Sequence, residues 1–92
     1  MIYNIFYDNR ISDDLKKIPS PTKKRLRTAI ENKLATNPEK FGEPLRKNLR
    51  GFWKLRVGDY RIVFKVDNDE AVITIIAIIH RKEVYEVVGR RA

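Results

Sequence analysis

The sequence has no cysteine, which excludes a disulfide framework and a thiolate metal site. It has one histidine, too few for the usual zinc ligand sets. No apolar run reaches the roughly 20 residues that span a bilayer. The longest, AVITIIAII at 71–79, is β-branched and reads as a buried strand. Residues 1–7 lack the basic-then-apolar pattern of an export signal, so a cytoplasmic protein is expected. Linkers, internal repeats and low-complexity segments are also missing, and residues 1–92 are expected to form one domain. Acidic residues are scarce: 12 against 20 Lys and Arg, a formal net charge of +8. Such a surplus favours a polyanionic partner, whether RNA, DNA or a strongly acidic protein segment.

What is present suits a small α+β core. MIYNIFY at 1–7 reads as a first strand. Ile11, Leu15 and Ile18 recur at helical spacing until Pro19 and Pro21 intervene. Ser20-Pro21 opens a second helix with an apolar stripe of Leu26, Ala29, Ile30 and Leu34. Residues 37–51 read as a loop from which Leu45 and Leu49 tuck back onto the core. Strands are expected at 52–57, 60–67 and 71–80, joined by short turns at Gly58-Asp59 and Asn68-Asp69. The tail KEVYEVVGRRA reads as a last short strand or a turn of helix, with GRRA frayed. The expected fold is an N-terminal strand, a two-helix hairpin and then an antiparallel β-sheet. The helices cover one face of that sheet and leave the other free for function.

The stretch WKLRVGDYRIVF at 53–64 carries the functional signal. A two-residue turn pairs Val57 with Tyr60, Arg56 with Arg61 and Lys54 with Val63. Trp53, Leu55, Val57, Tyr60, Ile62 and Phe64 then share the core face, and Lys54, Arg56, Arg61 and Lys65 share the other. Two arginines directly opposed repel each other. A phosphate site accounts for that cost, because the arginine fork matches phosphate oxygens. The next turn, if it also holds two residues, sets Arg61 opposite Ile76, Val63 opposite Thr74 and Lys65 opposite Val72. By that parity His80 falls on the Arg61 face and Arg81 on the opposite one, with Lys82 and Tyr85 following.

No Ser-His-Asp set, carboxylate pair of obvious spacing, metal-ligand cluster or Gly-rich phosphate loop is visible. Cations with His and Tyr can cleave RNA without metal or cofactor. The ribose 2′-hydroxyl attacks the adjacent phosphate, a base takes its proton, cations hold the developing charge and an acid protonates the leaving oxygen. Lys54 is the candidate base, Arg61 and Arg56 the charge stabilisers, and His80, Arg81 or Tyr85 the proton donor or relay. Lys65 and Lys82 extend the phosphate-binding surface. A general RNA-binding module is less well matched, since it needs exposed sheet aromatics and Tyr60 and Phe64 fall on the core face.

The block LRGFWKLRVGDYRIVF at 49–64 and the tail IIHRKEVY at 78–85 resemble the RelE/ParE superfamily of toxin–antitoxin systems. The resemblance covers nearly the whole chain. RelE-type members are ribosome-dependent endoribonucleases that cut mRNA in the A site; ParE-type members inhibit DNA gyrase. The tail is similar to the RelE side. The resemblance implies that Lys54 acts as base or charge stabiliser, Arg61 stabilises the transition-state phosphate, Arg81 is a general acid and Tyr85 stacks on or orients the substrate. Tyr85 is closer to Arg81 here than in the best-known RelE. Phe52 stands where that sequence has a second lysine, with Arg56 available to compensate. His80 stands where it has a lysine, and some RelE-like relatives use a histidine near this place. The implied partners are the ribosome, mRNA and a cognate antitoxin with an acidic segment; no membrane is implied. The alternatives are a ParE-like gyrase inhibitor and an inactive family member.

Overall fold

The computed structural model describes residues 2–92; Met1, part of the expected first strand, lies outside the described residues. Five strands form one sheet in the order β1-β5-β4-β3-β2. They are β1 (Asn4–Tyr7), β2 (Glu43–Pro44), β3 (Trp53–Val57), β4 (Tyr60–Asp67) and β5 (Val72–His80). Only β1 is parallel to its neighbour, β5; the other pairings are antiparallel.

Helices α1 (Ile11–Lys16) and α2 (Ser20–Ala29) form the expected hairpin, and α2 runs on through a wider turn at Ile30–Leu34. Ile11, Ile18, Leu26, Ala29, Ile30 and Leu34 pack on Leu55, Ile62, Phe64, Ile73, Ile75 and Ile78 of the sheet. Trp53, Val57 and Tyr60 join this core partly buried, on the face that alternation predicts.

The opposite face is not free. Leu45, Leu49, Phe52, Val84 and Val88 close over Val63, Ile76, Ala77 and Ile79 in a second core. The cover has two parts. The segment 37–51 is more than a loop: it holds a short helix α3 (Pro38–Phe41), β2 and a 3-10 turn at Lys47–Leu49. The tail is a helix, α4 (Val84–Arg91), which places Val84 and Val88 one turn apart on its inner face. A sheet with β5 apolar on both sides has to be covered twice, because exposing its second row would leave a large apolar patch in water.

Gly42 lets this segment cross beside the first core, to which Phe64 belongs. A β-carbon there would sit 2.7 Å from the Phe64 ring and 2.8 Å from the Pro38 carbonyl oxygen, so only glycine passes between α3 and the sheet.

The end of the chain is pinned, not frayed. Arg91 meets Asp14 of α1 through two hydrogen bonds, Nη1 to Oδ2 and Nη2 to Oδ1, each 2.8 Å. Arg91 Nη1 also donates to the Ile76 carbonyl at 3.0 Å, and Asp14 Oδ2 accepts the Ile78 N–H at 3.1 Å. Beyond Ile75, where β1 ends, this edge of β5 has no neighbouring strand, and the two side chains satisfy its backbone instead.

The β1–α1 connection is fixed by a local pair. Asp8 accepts from Arg10 Nε and from the Arg10 backbone N–H, both at 2.9 Å. These hydrogen bonds, the side-chain one first, lower the Asp8 pKa from 3.8 to about 2. The depressed value means that the pair's contribution is present above the ordinary carboxylate range and is lost as pH falls through about 2. An NMR titration should show the Asp8 carboxyl midpoint at about 2, returning towards 3.8 in Arg10→Ala. A midpoint near the ordinary value in the parent protein would contradict the assignment.

Candidate functional site

The β3–β4 hairpin has the register read from its sequence: Val57 opposite Tyr60, Arg56 opposite Arg61 and Lys54 opposite Val63. Gly58 takes a positive φ of 59° at the first turn position and Asp59 does not, which fits a type II′ turn. Arg56 and Arg61 therefore do face each other. Arg61 folds its Nη1 back onto the turn, donating to the Gly58 carbonyl at 2.9 Å and the Tyr60 carbonyl at 2.8 Å. The remaining N–H groups of its fork have no protein partner among the described residues. Partial burial, then the charges of Arg56 and Arg81, lower the Arg61 pKa from its ordinary value; Asp59 and Glu43 offset this in part. Three guanidiniums thus share one field and lack an equal counter-charge.

The β4–β5 pairing departs from the expected register. The connection has four residues, 68–71, because the Asp67 carboxylate accepts the Glu70 N–H at 3.1 Å and Ala71 adopts a φ of 55°. Lys65 consequently lies opposite Thr74, not Val72. This shift of two keeps side-chain parity. A β-bulge then inserts Ile76: Phe64 pairs with Ile75 but Val63 pairs with Ala77. That shift of one reverses parity for the rest of β5, and Arg61 lies opposite Ile79, not Ile76.

The reversal moves two candidate residues. His80 is opposite Tyr60, not on the Arg61 face, and the two rings meet edge to face with centroids 6.0 Å apart. His80 lines a cleft on the α1 side with Asp14, Lys17 and Ile18. Its Nδ1 accepts the Lys82 N–H at 3.2 Å, capping the turn at Arg81–Glu83. Arg81 instead comes round to the cation face. Its N–H donates to the Asp59 carbonyl at 2.9 Å and its Nε lies 3.8 Å from the Asp59 carboxylate.

Tyr85, in the first turn of α4, is half exposed and lines a cleft of about 460 Å³ with Lys54. The other walls are Glu43, Pro44, Leu45 and Arg46. Glu43 faces Lys54 directly across the β2–β3 pair. Neither Glu43 nor Arg46 stood out in the sequence, where both sit in a stretch that reads as loop. Lys65 is on the same face but about 13 Å along the strand from Arg61, with its ammonium 4.8 Å from the Phe52 ring centroid. Lys82 is exposed on the turn between β5 and α4. The site that converges is therefore Lys54, Arg56, Arg61, Arg81 and Tyr85, with Glu43 and Arg46 added and His80 removed. Among the described residues no three His, Cys, Asp or Glu side chains come together as a metal would require.

A mostly antiparallel open sheet with a helical hairpin on one face and a cation cluster at the rim of the other defines a small α+β protein. Residues 5–85 match the profile described as ParE toxin of type II toxin-antitoxin system, parDE, and the chain belongs to this family. Its relatives lie on the RelE-like branch. It is 30% identical to toxin RelE of Mycobacterium tuberculosis, over 90% of this chain and 86% of that one. It is 27% identical to toxin RelG of the same organism, over 92% of this chain and 98% of that one. The toxin–antitoxin complex RelBE2 from M. tuberculosis contains a chain that superposes with a TM-score of 0.82 at 26% identity, covering 88% of this chain and all of that one.

The opposed arginines give a measurable trade. Arg56→Thr removes a like-charge pair and is expected to stabilise the fold by about 0.2–1 kcal/mol. The same change is expected to weaken single-stranded RNA binding and to flatten its salt dependence by roughly 0.7 log units per decade. Urea unfolding and binding titrations at two salt concentrations check both. Lower stability with unchanged RNA affinity would show that the arginines serve the fold alone.

Proposed function

We infer that this protein is the toxin of a type II toxin–antitoxin pair and that it cleaves mRNA in the ribosomal A site without a metal ion. The observation that carries the reading is the meeting of Arg56, Arg61 and Arg81 beside a cleft lined by Lys54, Glu43 and Tyr85. In the reaction, the O2′–H bond breaks and O2′ bonds to phosphorus. The P–O5′ bond breaks, leaving a 2′,3′-cyclic phosphate and a 5′-hydroxyl. Arg61 and Arg56 bind the phosphate and hold the charge that builds on its oxygens. Arg81 approaches the same phosphate and supplies or relays the proton to the leaving oxygen. Tyr85 forms a wall against which a base stacks. Lys54 and Glu43 stand side by side where the 2′-hydroxyl would sit, and the amine or the carboxylate takes its proton.

The partner proposed for the resting state is an antitoxin with an acidic segment. The net charge of +8 supports this, as does the likeness to a chain solved within a toxin–antitoxin complex.

Primer extension on mRNA in programmed ribosomes tests the reading. The parent protein is expected to cut within the A-site codon, and Arg61→Ala to lose the cut. Glu43→Gln decides the proton acceptor: a fall of about a hundredfold or more with intact ribosome binding assigns it to Glu43, and parental cleavage assigns it to Lys54. The family profile is named for ParE, so gyrase belongs in the same test. No cleavage with ribosomes, together with inhibition of gyrase supercoiling, would replace the nuclease reading with a protein-binding toxin.

A further inference from the structure

Helix α4 has only eight residues, and one of them, Gly89, lies in its last turns. A helix this short does not hold in water by itself, and an internal glycine weakens it further. What holds it is its inner face: Val84, Val88 and Arg91, at i, i+4 and i+7, with Val87 partly buried beside them. Val84 and Val88 are buried against the second core, where apolar contact resists separation but tolerates sliding and rotation. The directional anchor is Arg91. Its fork engages Asp14 twice and the Ile76 carbonyl once, and Asp14 is itself held by the Ile78 N–H. Both side chains are largely buried, at 13% and 7% exposure, so the pair is little screened by water.

Tyr85 lies on the same helix, next to Val84 and away from the inner face, and reaches the cleft that holds Lys54 and Glu43. The clasp and the cleft are thus the two ends of one short rigid body. We propose that the Arg91–Asp14 clasp is a positioning device for Tyr85: it keeps α4 folded in one rotation and axial register and so sets the tyrosine over the cleft. Arg91 and Asp14 touch no substrate. The proposal rests on the nuclease reading for the role of Tyr85, but its structural half stands independently.

The test separates the two halves. Hydrogen exchange at residues 84–91 reads the clasp without reference to any reaction. Arg91→Ala should raise exchange there by about tenfold or more, with the amides of β3, β4 and β5 unchanged. Unchanged exchange in α4 would overturn the clasp. Gly89→Ala should restore protection in the Arg91→Ala background. A β-carbon at Gly89 meets nothing within 4 Å, and alanine raises helix propensity. Failure of this rescue would show that Arg91 acts other than by ordering the helix.

Cleavage in programmed ribosomes then reads the positioning. Arg91→Ala should slow it by about ten- to a hundredfold, and Gly89→Ala should recover part of the loss. In a Tyr85→Ala background, Arg91→Ala should cost less than about twofold more, because the group it positions is gone. Full additivity of the two substitutions would overturn the positioning role even with the exchange result intact. A parent protein that does not cleave would remove the nuclease reading, while exchange at 84–91 would still decide the clasp.

Discussion

One extra residue in β5 governs which side chains meet at the candidate site. The bulge at Ile76 reverses the side-chain parity of the strand beyond it. Without it, His80 would face the arginines and Arg81 would point towards α1. With it, His80 packs edge to face on Tyr60 and Arg81 joins Arg61 beside Asp59. The bulged residue also presents its carbonyl to Arg91, which draws the last helix onto the second core. The side of the sheet that Arg81 takes and the anchoring of α4 therefore depend on the same local irregularity.

The cluster is costly for a small fold. Arg56 and Arg61 oppose each other across a strand pair, and Arg81 adds to the field. The fold can carry this because the cations stand at the rim of a second apolar core. Val63, Phe52, Leu45 and Val84 supply burial beneath them while the charged ends reach water. A phosphate arriving at this rim would relieve a repulsion that the protein already contains. In the proposed reading, binding and stability oppose one another at these positions, a trade common at functional sites.

Much of this was legible in the sequence, for reasons that can be named. Gly58-Asp59 is a two-residue turn, and a turn of fixed length fixes every pair of its hairpin, so Arg56 against Arg61 could be read directly. The β4–β5 register could not. AVITIIAII is apolar on both faces, and a run without alternation carries no record of which residue faces which side. Nothing in it marks Ile76 as the bulge, and the Asp67 side chain that lengthens the loop acts through one local hydrogen bond. The covered second face was hidden similarly. EVYEVV is rich in β-branched valine, which favours strand, and only the spacing of Val84 and Val88 hinted at a helix. Glu43 escaped because a two-residue strand in a stretch rich in proline and glycine leaves no periodic trace.

His80 and Arg81 are neighbours in sequence and lie on opposite faces of the sheet, so comparing them tests the register and the site together. The decisive measurement is cleavage of mRNA in programmed ribosomes by Arg81→Ala and by His80→Asn, whose side-chain oxygen can still accept the Lys82 N–H. The proposed reading predicts that Arg81→Ala loses cleavage and that His80→Asn stays near the parental rate. Loss of cleavage in His80→Asn with retention in Arg81→Ala would contradict the account, because it would put the reacting phosphate on the Tyr60 side of the sheet.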